Sequence, residues 1–375
     1  MVKKKSFGSA VNTVLTAKES ELFNIGFTRE EDAYWSSFGN YALNRMMSGR
    51  FDKGLMFGKN YIFYGESGSG KSLQIAYMCG LAQKQMNAYV LWIDAEKAST
   101  EEWFSKVGVS TNQESMSIIS TPSLVEVKSK ITEVIKMYRQ AVKDEEDLPP
   151  LIIAIDSWSV LLTANQMEQA EGGELKGDQG QKAKQLGDTI VQLNHMVGNL
   201  PVLIMGVLHV YDNQDMYTIR KHRTTGGNKA LYMASGALLL TKKELDVDSV
   251  EDPDERDRLQ EITDNMTAEQ RKKKRFAGII CKAENLKSRV SKPFQTVNVQ
   301  IPYNTGIDSY SGLFGLLQEE SLVRVSGKGW YVYKNSAEEE VKFQKNSFRD
   351  HADEIMRAAS KDIGLENKEE VKNEK

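Results

Sequence analysis

The sequence has only two cysteines, Cys79 and Cys281, among its 375 residues. Two thiols this far apart exclude a disulfide framework and a four-cysteine zinc site, and they fit a reducing compartment. Only four histidines are present, and none has the Cys/His spacing of a zinc site. No apolar run approaches the roughly 18 residues of a membrane span, and the basic start lacks the apolar segment of a secretory signal. We therefore expect a cytoplasmic protein without a membrane segment.

An excess of one charge is also missing, because 49 Lys and Arg residues against 52 Asp and Glu residues leave a formal net charge of −3. This balance excludes a protein that binds polyanions through a generally basic surface, so any such site must be local. Hydrophobic residues make up 40% of the chain, which is enough to fill a core and excludes wholesale disorder. The length predicts about two to three domains.

Short apolar runs rich in β-branched residues alternate with helical stretches between about residues 34 and 240. One helical stretch is Leu124–Val142, whose apolar residues recur at helical spacing. The alternation predicts an α/β fold with a mostly parallel sheet that is covered on both faces. The predicted strands are Tyr61–Tyr64, Tyr89–Asp94, Ser117–Ser120, Leu151–Asp156, Val202–Leu208, Ala237–Thr241, Gly278–Lys282 and Gln295–Ile301.

The chain divides by composition into four predicted regions. Residues 1–34 form an N-terminal arm, and residues 35–305 form the core. Residues 306–364 form a small C-terminal α/β domain with a helix–hairpin–helix pattern, and the polar tail 365–375 is expected to be flexible. Within the core, residues 244–275 are a charged insertion, interpreted as an outer decoration, a partner site or, preferably, a solvated hairpin.

The segment Gly65–Ser72 reads Gly-Glu-Ser-Gly-Ser-Gly-Lys-Ser and fits the phosphate-binding pattern G-x-x-x-x-G-K-[ST]. A predicted strand enters the segment and a predicted helix beginning near Gly70 leaves it, as the motif requires. Lys71 would add a charge at the β and γ phosphate oxygens, and Ser72 would offer its hydroxyl to Mg²⁺. The segment predicts ATP and Mg²⁺ as cofactors. The predicted nucleotide contacts are Gly65, Glu66, Ser67, Gly68, Ser69, Gly70, Lys71, Ser72 and Leu73.

A second part of this site is predicted at the end of the strand Leu151–Asp156. At the carboxyl edge of a parallel sheet, Asp156 would face the phosphate loop and hold Mg²⁺ through water. An ordinary strand-end aspartate is the alternative when the residue is considered alone. Ser72 and Asp156 together form the predicted metal site.

Two carboxylates, Asp94 and Glu96, follow the strand Tyr89–Asp94. Hydrolysis of ATP needs a base that orients water for attack on the γ-phosphate. Glu96 is the candidate and Asp94 its competitor, and position alone does not separate them. Trp103, seven residues after Glu96, could stack on adenine, with a core tryptophan as the alternative.

Polar and long segments follow strand ends at the same predicted edge. His209, after the strand Val202–Leu208, could sense the γ-phosphate, with a structural histidine as the alternative. Two long stretches, Ala164–Gly180 and Val210–Gly227, are predicted as loops, and the second mixes cations with apolar and aromatic side chains. That mixture is typical of single-stranded DNA binding, with a flexible surface loop as the alternative. The predicted contacts there are Met216, Tyr217, Ile219, Arg220, Lys221 and Arg223.

Several longer segments between about residues 35 and 335 resemble the RecA-type recombinases, in the order in which that family has them. His209, where bacterial members usually carry glutamine, and the segment Asp308–Gly312 favour the phage UvsX branch. The matching segments are Gly65–Ser72, Ile93–Ala98, Ile155–Ser157, Thr224–Asn228 with Ala234 and Ser235, Lys287–Phe294, and Gly306–Gly312 with Gly329–Tyr331.

The resemblance implies catalytic roles for five residues, which are Glu96, Lys71, His209, Lys287 and Arg289. Glu96 corresponds to the base that activates water, and His209 to the sensor of the γ-phosphate. Lys287 and Arg289 match a pair of cations that family members extend to the ATP of a neighbouring subunit. Trp103 lies where the family places an adenine-stacking tyrosine.

DNA contacts and subunit contacts are implied in the same way. The stretches Ala164–Gly180 and Val210–Gly227 look like the two DNA-binding loops of the family. Lys184, Gly226 and Gly227 complete the implied DNA contacts. Tyr232 lies at the position of an interface aromatic, and the arm would serve oligomerisation. Phe7 and Ala10 are similar to the Phe-x-x-Ala plug that some relatives insert into the next subunit.

The resemblance therefore implies a RecA-like core with DNA-dependent ATPase activity. ATP and Mg²⁺ would assemble subunits into a helical filament on single-stranded DNA, which is then paired with homologous duplex DNA. A loader or mediator and a single-strand-binding protein are expected partners, and a phage-encoded member would act in the host cytoplasm. Two other classes stay open: a hexameric helicase or other DNA motor with the same core, and a non-catalytic nucleotide-binding regulator, against which Glu96 and His209 argue.

Overall fold

The structure is a computed structural model that describes residues 34–144, 147–173, 180–198, 200–212, 222–224, 227–265, 276–288, 291–302 and 306–360. The predicted arm, apart from Tyr34, and the predicted tail lie outside the described residues. Among the described helices, none combines the length and the apolar character that crossing a bilayer requires.

The secondary structure consists of α-helices and short to medium β-strands, numbered here in chain order. The strands are β1 (Trp35–Ser36), β2 (Leu55–Met56), β3 (Lys59–Gly65), β4 (Tyr89–Asp94), β5 (Met116–Ile119), β6 (Leu151–Asp156), β7 (Val202–Asp212), β8 (His222–Thr224), β9 (Gly236–Asp246), β10 (Phe276–Lys287), β11 (Thr296–Pro302), β12 (Arg324–Gly327), β13 (Trp330–Lys334) and β14 (Glu340–Gln344). The helices are α1 (Tyr41–Ser48), α2 (Lys71–Met86), α3 (Glu101–Lys106), α4 (Leu124–Lys143), α5 (Ala164–Gly172), α6 (Gln181–Val197), α7 (Gly227–Met233), α8 (Pro253–Asp264), α9 (Leu313–Glu319) and α10 (Phe348–Ala359).

The large sheet has the strand order β11-β10-β9-β3-β7-β6-β4-β5, and β8 pairs with β7 outside this path. The strands from β9 to β5 in this order are parallel, whereas β10 and β11 are antiparallel additions at one end. The predicted α/β fold with a mostly parallel sheet is confirmed.

Both faces of the sheet are covered, as the continuous apolar strands predict. Along β6, Ile152 and Ala154 belong to one hydrophobic cluster, whereas Ile153 and Ile155 belong to another. The alternation follows from the two-residue period of a strand. Helix α2 packs in the first cluster, and helices α4 and α6 pack in the second.

The registers of the parallel strands bring several strand ends to one edge. Gly65 at the end of β3 is level with His209 of β7 and with Leu240 of β9. Asp94 at the end of β4 is level with Asp156 at the end of β6. This edge therefore collects the phosphate loop, both strand-end aspartates and His209, although these residues are far apart in the sequence.

The prediction of a long loop over Ala164–Gly180 is wrong for its first half, which forms helix α5. Thr163 caps the helix by accepting the backbone N–H of Gln166, and the Gln166 side chain accepts the N–H of Thr163 in return. This reciprocal capping box stabilises a helix start. Residues 174–179 of the predicted loop lie outside the described residues.

The insertion at residues 244–275 is more than a hairpin, because Pro253–Asp264 forms helix α8. Leu259 of this helix packs with Leu245 and Val250 in a small cluster of its own. Asp252 forms an ion pair with Arg349 of helix α10 at 3.2 Å. The insertion is therefore attached to the C-terminal region, although residues 266–275 lie outside the described residues.

The C-terminal region has the two predicted helices, α9 and α10, around a sheet of three described strands, β12, β13 and β14, instead of a two-stranded hairpin. Tyr333 of β13 and Phe343 of β14 belong to the same hydrophobic cluster as helix α2. The region is therefore packed continuously onto the core.

Candidate nucleotide site

The phosphate loop connects β3 to helix α2 and depends on its glycines. Gly68 and Gly70 have φ angles of 72° and 89°, in the left-handed region that other residues rarely adopt. A Cβ atom at Gly65 would overlap the carbonyl oxygen of Leu240 on the neighbouring strand β9. The loop can therefore close tightly and direct backbone N–H groups and the start of helix α2 toward a bound anion.

Lys71 is the first residue of helix α2, and only 4% of it is exposed. Its ammonium group donates to the carbonyl oxygen of Glu66 at 2.6 Å, inside the loop. Burial lowers the pKa of Lys71, while the negative charges of Asp156 and Glu96 oppose this shift. A buried cation at the centre of the loop is well placed to attract phosphate oxygens.

Asp156 lies at the end of β6 and is 6% exposed. Burial raises the pKa of its carboxyl to about 6, and the neighbouring Ser72 side chain opposes this shift. Its Oδ1 atom has no hydrogen-bond partner among the described residues. A buried carboxylate oxygen without a partner, beside a hydroxyl, is a donor set that suits Mg²⁺. The residues present therefore fit the nucleotide and metal that the sequence predicts.

Hydrogen bonds distinguish the two candidate bases, Asp94 and Glu96. Both carboxylate oxygens of Asp94 are engaged within the chain, because they accept the backbone N–H groups of Ala98 at 3.2 Å and Ser99 at 3.0 Å. Asp94 thereby holds the turn that presents Glu96. The Oε1 atom of Glu96 lies 2.7 Å from Nε2 of His209, and each side chain is 29% exposed.

Glu96 has the electrostatic surroundings of an ionised base. The hydrogen bond with His209 lowers the pKa of Glu96, the positive charge of Lys71 acts in the same direction, and partial burial opposes both. A carboxylate that stays ionised can accept a hydrogen bond from water at neutral pH. The geometry therefore favours Glu96 over Asp94, while its catalytic role stays a prediction.

Trp103 lies on helix α3, which is capped by the Thr100 hydroxyl. Its ring contacts Trp92 and Phe104 edge-on, with centroids 6.1 and 5.0 Å apart. Trp103 is partly buried against the main core cluster. One part of the Trp103 ring therefore packs in the core, as the alternative interpretation predicts, and the adenine contact stays a prediction.

Lys287 does not lie at the phosphate-loop edge of its own chain. It is level with Ala237 of β9, which is level with Ile62, three residues before Gly65 along β3. Three residues of a strand span about 10 Å. The Lys287 ammonium donates to the carbonyl oxygens of Tyr232 and Ala234, at the end of helix α7. Arg289 lies outside the described residues.

Tyr232 is 54% exposed beside Lys287, so the two predicted subunit contacts share one surface. Lys184 is exposed in the first turn of helix α6, directly after the predicted first DNA loop. Gly227 begins helix α7, and Arg223 lies on β8, which pairs with β7.

The remaining predicted DNA and arm contacts lie outside the described residues. They are Met216, Tyr217, Ile219, Arg220, Lys221, Gly226, Phe7 and Ala10.

Comparison with known proteins gives several relatives over most of the chain, although no family model matches. Protein RecA of Chloroherpeton thalassium is 25% identical over 283 residues, which are 75% of this chain and 68% of that protein. Protein RecA of Pseudomonas savastanoi pv. phaseolicola is 25% identical over 312 residues, 83% of this chain and 76% of that protein. Protein RecA of Kineococcus radiotolerans is 26% identical over 322 residues, which cover 83% of this chain and 79% of that protein. These relatives support a RecA-type family.

The structure adds two residues to the candidate nucleotide site that the sequence did not single out. Lys242 of β9 is exposed, yet its Nζ atom is 2.7 Å from the position that a Cβ on Gly68 would take. Ser159 is buried just after β6, and its hydroxyl accepts the backbone N–H of His209 at 2.7 Å. Neither position carries a motif. Lys242 reaches the loop because β9 pairs with β3, and Ser159 reaches His209 because β6 pairs with β7, so no local signal could have identified these contacts.

Proposed function

We propose that this chain is an ATP-dependent DNA strand-exchange recombinase. It forms a helical filament on single-stranded DNA and pairs that strand with homologous duplex DNA, in recombination and recombinational repair. The similarity to several RecA proteins over most of the chain supports this proposal. The observation that carries it is the hydrogen bond between Glu96 and His209, because His209 lies on the strand that leads into the second predicted DNA loop.

That bond links the two halves of the proposed activity. Strand β7 continues past His209 to Asp212 and pairs with β8 through Val210–Asp212, so the strand that carries His209 leads directly toward the proposed DNA segment 213–221. A DNA strand bound by this segment would act on strand β7, whose His209 is hydrogen-bonded to the proposed base, Glu96. A DNA-dependent ATPase needs such a connection between the polynucleotide and the group that orients water.

Within the site, the chain's own residues divide the chemistry. Backbone N–H groups of the phosphate loop and the Lys71 ammonium bind the phosphates. Ser72 and Asp156 hold Mg²⁺, which when bound neutralises charge that develops on the phosphates. Glu96 accepts a hydrogen bond from water and orients it, and His209 holds Glu96 until the γ-phosphate is present.

The placement of Lys287 supports assembly of many subunits. A cation remote from its own phosphate loop, on a surface shared with the exposed Tyr232, is suited to complete the site of a neighbour. Such a head-to-tail contact is heterologous, and it generates an open helical filament when the rotation does not close. ATP bound between subunits would then hold the filament together, and hydrolysis would loosen it.

The finer assignments belong to the same proposal. We place the chain in the phage UvsX branch, acting in the host cytoplasm with a loader or mediator and a single-strand-binding protein. Residues 1–34 act as the oligomerisation arm, with Phe7 and Ala10 as contacts, residues 35–305 form the ATPase core, and residues 306–364 form a small C-terminal domain. His209 and the segment Asp308–Gly312 support the phage branch.

Electron microscopy on single-stranded DNA with a slowly hydrolysed ATP analogue tests the proposal. Open helical filaments are expected, and they should be absent without DNA or nucleotide at low protein concentration. Discrete six-membered rings would instead favour a hexameric helicase with the same core and would overturn the recombinase proposal. Pairing of a labelled single strand with homologous duplex, compared with heterologous duplex, then tests strand exchange directly.

A further inference from the structure

A short hydrogen-bonded path connects the proposed base with the stem of the first predicted DNA segment. The Lys182 ammonium on helix α6 donates to the carbonyl oxygen of Ser159 at 2.6 Å. The hydroxyl of the same serine accepts the backbone N–H of His209 at 2.7 Å, and His209 bonds Glu96 at 2.7 Å through its ring. Ser159 therefore contacts helix α6 through its main-chain carbonyl and strand β7 through its side-chain hydroxyl.

The position of Ser159 follows from how β6 ends. The parallel pairing of β6 with β7 stops at Ile155 and Gly206, where the chain turns out of the sheet. Trp158 then donates its backbone N–H to Val207 at 3.0 Å and packs its ring against Gly206. At the next residue, the Ser159 hydroxyl accepts the His209 N–H. A side chain thus satisfies a backbone N–H of β7 beyond the point where the backbone of β6 pairs with it.

The other end of the path lies at the stem of residues 173–180. Helix α5 enters this segment and helix α6 leaves it. The Asn165 side chain donates to the Gln181 side chain at 3.1 Å, which closes the stem beside Lys182. A displacement of the start of α6 would therefore change the Lys182 contact with Ser159.

We propose that Ser159 is a positioning residue that transmits DNA occupancy of the first segment to Glu96 through His209. The inference rests on the proposed function, because it assumes that single-stranded DNA binds this segment. The two-state element is the bond between His209 and Glu96, which is made in this structure and must be exchanged for a bond to water during hydrolysis. The Ser159 hydroxyl sets the backbone of His209 and thereby biases that exchange.

The test compares S159A with wild type in ATP hydrolysis, with and without single-stranded oligo-dT. Loss of one coupling hydrogen bond should reduce the DNA-stimulated kcat about five- to tenfold, with little change in the KM for ATP or in oligo-dT binding. S159T, which keeps a hydroxyl, should recover most of the stimulation. K182M is a second variant, which removes the ammonium but keeps the length of the side chain, and it should reduce stimulation in the same way.

The matched control is T189V, which removes another buried hydroxyl from the same region. The Thr189 hydroxyl donates to the Gln185 carbonyl at 2.8 Å within helix α6 and takes no part in the path. T189V should be stimulated like wild type.

If oligo-dT stimulates S159A as strongly as wild type, this inference is overturned while the proposed function stands. Equal loss of turnover with and without DNA would show a merely structural role and would also overturn it. A wild type that oligo-dT does not stimulate would overturn the proposed function and this inference with it.

Discussion

The Oε1 atom of Glu96 lies 2.7 Å from Nε2 of His209, so the imidazole engages one oxygen of the carboxylate that would orient water. The backbone N–H of Glu96 also donates to the carbonyl oxygen of Asp156 at 3.3 Å, which fixes the residue at the end of β6. The main chain of Glu96 is thus held in place. In the proposed function its side chain exchanges His209 for water, and this exchange is the step that nucleotide and DNA control.

Replacement of Glu96, the proposed base, should separate ATP binding from ATP hydrolysis. In E96Q the side chain keeps its size but cannot accept a proton, so turnover should fall by about 10²- to 10⁴-fold. ATP binding should persist, because the phosphate loop is unchanged, and filaments formed with ATP should be long-lived. Phosphate release and filament lifetime measure the two effects. E102Q is the control, since Glu102 is an exposed carboxylate on helix α3 that forms an ion pair with Lys106, one turn further along the same helix. Normal turnover in E96Q would assign the base to another residue.

Asp156 should reduce the stability of the ligand-free protein above pH 6. Its pKa is about 6 in the folded chain, against about 3.9 in an unfolded chain. Between these values the folded state binds more protons, so the free energy of unfolding falls as the pH rises from about 4 to about 6. At pH 7.5 we expect ligand-free D156N to exceed wild type by about 1–3 kcal/mol.

Chemical denaturation between pH 5 and pH 8 checks this expectation through the pH dependence of the difference. The advantage of D156N should shrink toward pH 5, because Asp156 of the wild type becomes protonated there. Added MgATP should reverse the order of stability at pH 7.5. It should bind folded wild type more tightly than D156N, which lacks the proposed Mg²⁺ ligand, and therefore stabilise wild type more by mass action. A difference that does not vary with pH would show that Asp156 is not the titrating group.

Local patterns predicted much of the sheet because its strands are short apolar runs bounded by polar residues. The bounds predicted for Tyr89–Asp94 and Leu151–Asp156 are those observed, and helix α4 ends one residue beyond its predicted end. The phosphate loop was equally visible, since Gly65–Ser72 is contiguous in the sequence. Such features depend on neighbours in the chain, so one sequence is sufficient to find them.

Features that depend on contacts across the fold could not be predicted. The choice between Asp94 and Glu96 became possible only from the backbone groups that Asp94 accepts. Lys242 reaches the phosphate loop only because β9 lies beside β3 in the sheet. Helix α5 was missed although its capping residues, Thr163 and Gln166, stand at the right spacing, because the glycines that follow them indicated a loop.

Lys242 should strengthen nucleotide binding from the side of the phosphate loop. Its ammonium lies next to Gly68, close enough to Lys71 to affect the pKa of that residue. K242A should raise the KM for ATP about three- to tenfold, and the effect should shrink as salt screens the exposed charge. K243A is the matched control, because adjacent residues of a strand point to opposite faces. Equal effects of both variants would mean that only general charge matters.

Lys287 should act on the nucleotide of a neighbouring subunit, and mixing of two variants can show it. K287A keeps Glu96 but lacks the cation, whereas E96Q lacks the base but keeps Lys287, so each should hydrolyse ATP poorly alone. In a random equimolar filament about one interface in four joins the intact base of one variant to the intact lysine of the other. Turnover should therefore recover to about a quarter of the wild-type rate, measured on oligo-dT. K292A should be active without mixing, as a control for loss of a nearby charge. No recovery in the mixture would place the action of Lys287 within its own subunit and would remove the main structural support for assembly-dependent hydrolysis.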